Sequence, residues 1–563
     1  MVSFLCEKLT EESMSALDVF EKVRNQIGFG VFLVSSCFLA LPGCQVNTEK
    51  GFSIEMPKRP NIIVILTDQE RHIVHWPDDF AEENLPSLTR LKKNGLTFHK
   101  AYTAACECTP SRAVITTSEH YPINKVPRTP SVNGLPSVKE LMDIGSLLKS
   151  QTDYEVVWKG KWHLSPPLKG GHDWIQADIP NVEENYDIFE WNPPDAGTAI
   201  SELVINPNGT KFDGLSTLGG GYANNDGRFV QGVSKDQPKQ TAGFGESILD
   251  YLKKVGGRDV STRKPFCLFI SLVNPHDVWV YPNALEASGY KKEDFISMGI
   301  DLPSNQVDDL KTKPSVQLKA REAFQKASPL KGVEEQLGYV NFYAYVNKVV
   351  DGQIQTILDA LDSYGLTEDT VIIRTADHGE LGLSHGMREK AYTVYEETIH
   401  IPFIVSNPKM YPSPKQTNAF YCHLDLLPTL AEIAQVPDFS RYGKGVSVVP
   451  VLKDPSTSVQ DSILFTYDDV FFLPENTPGG HIRAIRTGDF VYAVYYSEDG
   501  SSFEYEMYNL KNDPGELNNL LYQNKDPKVA KEAKRLHDKL KEKIDAESAL
   551  LPGFPWPKAP AAL

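Results

Sequence analysis

Several short runs in this chain are apolar at consecutive rather than alternate positions: Ile62-Ile63-Val64-Ile65-Leu66, Val156-Val157-Trp158, Phe266 to Leu272, Thr370 to Ile373 and Ile401 to Val405. A run of this kind reads as a central strand buried on both faces, as in α/β sheets. Helical spacing lies between them. Val346, Val349, Val350, Ile354, Ile357, Leu358 and Leu361 mark one long amphipathic helix from Tyr339 to Leu361. Leu88 and Leu91 share a face of a helix from Pro86 to Asn94, with Gly95 as its C-cap, and a strand around Leu96 to Phe98 follows. After Pro437 the pattern changes to short alternating segments, Ser462 to Tyr467, His481 to Thr487, Phe490 to Tyr496 and Glu504 to Asn509, then a charged amphipathic helix from Pro527 to Ser548 and a Pro-rich tail. The pattern predicts an α/β fold, a large mixed, mostly parallel central sheet flanked by helices, with a smaller C-terminal antiparallel sheet plus helix.

A chain of 563 residues exceeds one ordinary core. Five parts are expected: a leader over 1–44, a linker over 45–57, a main domain over 58–437 with an insert at 169–240, and a C-terminal subdomain over 438–563. The insert is rich in Gly, Pro, Asn and Asp with weak periodicity, and such a stretch covers or borders a binding site. Its Asn224-Asn225-Asp226-Gly227-Arg228 knot reads as turn structure. In the leader, Ile27 to Leu41 is apolar, follows Lys22 and Arg24, and is shorter than the roughly 20 residues of a membrane span. It fits a secretory h-region, and Leu41-Pro42-Gly43-Cys44 resembles a bacterial lipoprotein box in which Cys44 is lipidated. Export to the periplasm or cell surface, with possible membrane attachment through Cys44, is the expectation; a membrane anchor or buried helix is the other reading, and Met14 offers a second start.

A formal charge of −17 excludes the basic surface that a nucleic-acid binder needs. It leaves room for a small anionic ester, which answers to a few cations converging in one pocket. The seven cysteines lack the spacing of a disulfide scaffold or zinc cluster, and no Cys106–Cys108 bond is expected.

The chemistry collects at predicted strand ends, where open α/β sheets build their sites. Asp68-Gln69 follows the first run and Asp377-His378 follows Thr370 to Thr375. Two such pairs from neighbouring parallel strands can grip a hard cation, although a lone Asp there also serves as a helix cap. Lys159-Gly160-Lys161-Trp162-His163 and Asn274-Pro275-His276 follow two further runs. Ala113 to Thr117 begins a helix whose positive N-terminus points at residue 108.

Cys108-Thr109-Pro110-Ser111-Arg112 resembles the maturation signature of the type I, formylglycine-dependent sulfatases of the alkaline-phosphatase-like superfamily. Gly160 to His163, Pro275-His276, Asp377 to Glu380, His385-Gly386 with Lys390, and Met507 to Leu510 with Asp513 to Glu516 resemble further family segments, so the likeness spans about Pro60 to Leu520. The resemblance implies that a maturation enzyme oxidises Cys108 to formylglycine (3-oxoalanine), whose hydrated diol attacks sulfur. By the same carry-over, Arg112 sits beside a developing oxyanion, Lys161 and Lys390 hold sulfate oxygens, His276 assists the departing alcohol, His163 is the base, and His385 is a further candidate substrate contact after Lys390. Asp68, Gln69, residue 108, Asp377 and His378 would hold one divalent cation. The phrase from His423 to Leu430 also resembles the family and is expected to close the sheet, with Asp425 as a helix charge.

Many sulfatases resembling this chain carry Asp-Asp and Asp-Asn at the two metal pairs. Here Gln69 stands for the second Asp and His378 for the Asn; an oxygen-rich, charged site suits Ca2+, which is expected first, and the imidazole in place of an amide admits Mn2+ or Zn2+. The expected reaction is hydrolysis of a sulfate ester, of a sulfated glycan or an aryl sulfate. Formylglycine-dependent cleavage of phosphonate monoesters or phosphodiesters is the alternative, and a catalytically silent protein that binds sulfated glycans is a third reading.

Overall fold

The computed structural model describes residues 54–560 apart from 130–134, 136–139, 169–176, 193–225, 227–229, 231–245, 260, 287, 470–477 and 498. The leader, with Cys44, lies outside the described residues, as does most of the 169–240 insert. No helix among the described residues is long and apolar enough to cross a membrane.

Eight strands make the main sheet: β1 (Asn61–Asp68), β2 (Gly95–Tyr102), β4 (Glu155–Gly160), β5 (Phe189–Asn192), β6 (Phe266–Pro275), β7 (Thr370–Ala376), β8 (Phe403–Ser406) and β9 (Lys415–Cys422), with β3 (Ala105–Cys106) left for a second sheet. Their order is β5-β4-β6-β1-β7-β8-β2-β9. The first five in that order pair in parallel, so their carboxyl ends share one edge. β8 runs antiparallel to both its neighbours, which makes the sheet mixed. Every residue of β1 is buried, as the unbroken apolar run demands of a strand covered on both faces. Register then fixes the site: Asp68 lies opposite Pro275 on one side, and Thr67 lies opposite Ala376 on the other.

One face of the sheet is covered by the helix Gly332–Ser363, which starts before the predicted Tyr339 and buries Val346, Val350, Ile354, Ile357, Leu358 and Leu361. On the other face Trp158 stacks on Phe269 at 4.6 Å between ring centroids and packs edge-on against Trp162. The described part of the insert departs from the unstructured stretch expected of it. Asp178–Tyr186 is a helix that leads into the edge strand β5, short elements whose periodicity was too brief to read. From the same insert, Asp226 accepts hydrogen bonds from the backbone amides of Val273 (2.7 Å) and Asn274 (2.9 Å), fastening the end of β6 just before His276.

The second sheet consists of β10 (Ser462–Tyr467), β11 (Pro478–Thr487), β12 (Phe490–Ser497) and β13 (Phe503–Asn509) in antiparallel order, and is extended by the two-residue β3, which pairs in parallel with β10. The helix Pro527–Ala546 covers it through Ala533, Leu536, Leu540 and Ile544. Phe554 and Trp556 of the tail pack on the same core.

Candidate active site

The helix Cys108–Thr117 begins immediately after β3, so its first turn, with Cys108 at the head, meets the carboxyl edge of the main sheet. There Cys108 Sγ lies 3.2 Å from His378 Nε2 and 3.6 Å from Asp68 Oδ1. The ligand-type atoms of Asp68, Cys108, Asp377 and His378, all buried, lie within 4.8 Å of one another. His378 Nδ1 is 3.0 Å from the Gly379 carbonyl oxygen, to which it donates. That bond places the ring proton on Nδ1 and turns the Nε2 lone pair toward the cluster, the arrangement of a metal-binding histidine. Gly379 is needed where it stands, since a Cβ there would collide with the Glu397 carbonyl oxygen.

Cations surround the acids. Asp68 Oδ2 receives Lys161 Nζ at 2.5 Å and an Arg112 guanidinium nitrogen at 2.9 Å, and Arg112 Nε reaches Asp377 Oδ2 at 3.0 Å. Asp377 Oδ1 accepts from the backbone amides of Gln69 (3.0 Å) and His378 (2.9 Å). Burial raises the affinity of both carboxylates for a proton, but Lys161, His276 and Arg112 hold Asp68 well below the ordinary range. Asp377 is raised, by burial and by the negative Asp68 beside it. Burial and Asp68 push the Cys108 thiol up to about 12, so the encoded side chain is a protonated thiol at neutral pH. Lys390 is raised well above its usual value because Cys108, Glu389 and Glu107 outweigh its burial. The two strand-end imidazoles are held neutral: His163 by burial, Lys161 and Arg112, and His276 by burial and Lys390.

Asp68, Lys161, His276, Asp377, His378 and Lys390 therefore share one electrostatic neighbourhood around Cys108. Two of the sequence-derived roles need correction. Arg112 is fully buried and spends its donors on Asp68, Asp377, the Lys161 carbonyl oxygen and Ser271 Oγ, so it braces the acids instead of facing an oxyanion. His385 is also removed from sulfate contact. Its Nδ1 pairs with Asp308 (2.7 Å), its Nε2 meets Asn305 Nδ2 (3.3 Å), and its face stacks on Tyr395, which leaves neither nitrogen for a ligand. Gln69 stands at the end of β1 as expected, with its side-chain carbonyl accepting from Lys390 Nζ at 2.6 Å.

The sequence reading missed His423. It lies at the end of β9, with Nε2 2.9 Å from the Ala376 carbonyl oxygen and Nδ1 3.1 and 3.2 Å from the hydroxyls of Thr103 and Ser111. Ser111 in turn donates to the Asp377 carbonyl oxygen at 2.6 Å. His423 thus ties the strand carrying Asp377 to the helix carrying Cys108. Its position after a strand was the available signal, and the phrase was read as closure of the sheet.

A parallel-sheet edge that gathers a buried group of possible cation ligands, two lysines and two neutral histidines suits the hydrolysis of anionic esters. Residues 60–436 match the family model described as Sulfatase, and residues 383–546 match the C-terminal model of N-sulphoglucosamine sulphohydrolase. "Uncharacterized sulfatase YidJ" of Escherichia coli (strain K12) is 25% identical over 511 residues, covering 89% of this chain and 90% of that protein. Among solved structures, an enzyme in complex with its substrate D-glucosamine-2-N,6-O-disulfate superposes with a TM-score of 0.60 at 20% identity, over 88% of this chain and 99% of the other. The phosphonate monoester hydrolase of Agrobacterium radiobacter gives 0.59 at 19% identity, over 87% and 96%. The chain belongs to the sulfatase family, within the alkaline-phosphatase-like superfamily. It is a sulfuric ester hydrolase.

Proposed function

We propose that this enzyme desulfates a sulfated glycan, using formylglycine made from Cys108 by a maturation enzyme and one divalent cation, Ca2+ in the first instance. The observation that carries the reading is the packing of Cys108 Sγ against His378 and Asp68 at the head of a helix. As a thiol it is a poor nucleophile there. Conversion to the aldehyde would supply a diol hydroxyl at the same place. The donor set suits a cation: two carboxylates whose outer oxygens are already braced, and an imidazole with its lone pair turned inward. Gln69 Oε1 keeps a second lone pair for it beside the bond from Lys390. When bound, the cation would polarise sulfate oxygens and orient the nucleophile.

The chain's own residues account for the rest. Lys161 and Lys390, both buried and charged, neutralise the sulfate oxygens in a site where water cannot screen them. His276 Nδ1 is buried with no hydrogen-bond partner among the described residues, and the ring is neutral. It contributes an N–H to the departing alcohol oxygen instead of a positive charge. His163, kept neutral by burial and its cationic neighbours, is able to take a proton from the hydroxyl at residue 108. A sulfated sugar as substrate is supported by the ligand of the structural neighbour, and the leader's h-region and Cys44 support an exported, lipid-anchored location. A screen of matured enzyme against an array of sulfated saccharides and small sulfate esters tests the reading; absence of sulfate release throughout would sink it.

A second reading, hydrolysis of phosphonate monoesters or phosphodiesters, is supported by the structural likeness to a phosphonate monoester hydrolase. Turnover of an aryl sulfate against an aryl phosphonate on one preparation separates the two. Peptide mass spectrometry across residue 108 tests the silent-binder reading, since the aldehyde is lighter than the thiol.

A further inference from the structure

We propose that Gln69 is a positioning residue that tethers Lys390 through a neutral oxygen, and that Glu380 and Glu389 are the clamp that sets the direction of its amide. The inference rests on the reading of Lys390 as a sulfate contact. Gln69 is fully buried at the end of β1, in a left-handed conformation (φ 68°), and its backbone is fixed on both sides. Its amide nitrogen donates to Asp377 Oδ1 (3.0 Å) and its carbonyl oxygen accepts from Tyr343 (2.7 Å). The side chain is fixed as well. Nε2 donates to Glu380 Oε2 and to Glu389 Oε2 (3.1 Å), while Oε1 accepts from Lys390 Nζ (2.6 Å).

Glu380 cannot follow a movement of the amide. Its other oxygen accepts from Tyr339 (2.8 Å) and from the backbone amides of Gly382 (2.9 Å) and Glu389 (3.0 Å). Reversing the Gln69 amide would turn its NH2 group on the Lys390 ammonium and take its N–H bonds away from Glu380 and Glu389, so only one orientation is compatible with the groups around it. The consequence lies in Lys390. A carboxylate at the same place would cancel the ammonium charge, whereas an amide oxygen holds it in place and leaves it available. Glu389 Oε2, at 3.4 Å from Nζ, is the more distant partner.

The test is calorimetric titration of inorganic sulfate into the metal-loaded full chain, with thermal unfolding and bound metal measured on each variant. Lys390→Ala, Gln69→Leu and Glu380→Ala are each expected to weaken sulfate binding about tenfold, and Glu380→Ala combined with Gln69→Leu no further than Gln69→Leu alone. Multiplying losses, or unchanged binding in Glu380→Ala, would overturn the clamp. Unchanged binding in Lys390→Ala would overturn the sulfate reading and the tether with it. If Glu380→Ala does not fold, Glu389→Gln, which keeps Glu380 and its contacts, serves in its place: an effect on sulfate binding that disappears in the Gln69→Leu background supports the clamp, and one that persists refutes it.

Discussion

The Sγ of Cys108 stands 3.2 Å from Nε2 of His378, two side chains separated by 270 positions in the chain. Because burial and Asp68 raise the thiol to about 12, unmodified enzyme should resist alkylation at residue 108 at neutral pH and show no turnover. Cys108→Ala should cost at least ~10^3-fold in kcat/KM, since no other nucleophile replaces the converted side chain. Comparable rates for protein with and without the aldehyde, sorted by peptide mass, would contradict this.

Arg112 is the cation between two fully buried carboxylates. Arg112→Ala should destabilise the fold by about 3–5 kcal/mol, because it leaves buried charge uncompensated. Arg112→Lys should restore only part, as an ammonium cannot span Asp68 and Asp377 with separate donors. Urea midpoints at constant slope measure both.

His423 gives the pH dependence a sign. Burial, with smaller effects of His378 and Arg112, lowers its folded value to about 3 against the ordinary value of 6.5. Between those limits the unfolded chain binds the extra proton, so this contribution is complete above pH 6.5 and is lost as pH falls toward 3. Its size is on the order of 5 kcal/mol. His423→Gln should be less stable at pH 7.5 and should lose less on acidification to pH 4.5 than wild type; parallel stability curves would refute the assignment.

For the cation, the ligand cluster predicts a thermal shift. Ca2+ at about 100 times its dissociation constant should stabilise the apo enzyme by about 2.7 kcal/mol. Asp377→Asn should abolish most of that gain, and a chelator should remove both the gain and the turnover. The same titration with Mn2+ ranks the two ions. A Tm indifferent to every divalent ion would refute the site.

His385, whose nitrogens are committed to Asp308 and Asn305, should matter for stability and little for sulfate. His385→Ala is expected to cost about 1–3 kcal/mol through the partners it leaves unpaired, with KM changed less than twofold.

The strands that carry the site were legible because residues buried on both faces leave an unbroken apolar run, and because strand ends in such sheets collect functional groups. Asp68, Lys161, His276 and Asp377 follow from that rule together with the family resemblance. Contacts set by register between distant segments were hidden. Nothing local distinguishes Arg112, turned under the acids, from an arginine turned outward, or His385 from a ligand histidine. His423 and the Glu380–Gln69–Lys390 arrangement depend on loops meeting over the sheet edge, which spacing along the chain does not encode. The reversal of β8 and the pairing of Ala105–Cys106 with β10 are likewise matters of partner choice.

That last pairing has a consequence for the order of events during synthesis. Residues 105 and 106, one position short of Cys108, are gripped by a strand made much later, near the end of translation, and the thiol is buried in the folded chain. On the proposed conversion of Cys108, a maturation enzyme would have to reach the side chain before the late strand closes over it, so a slow-folding variant is expected to be more completely processed than a fast-folding one.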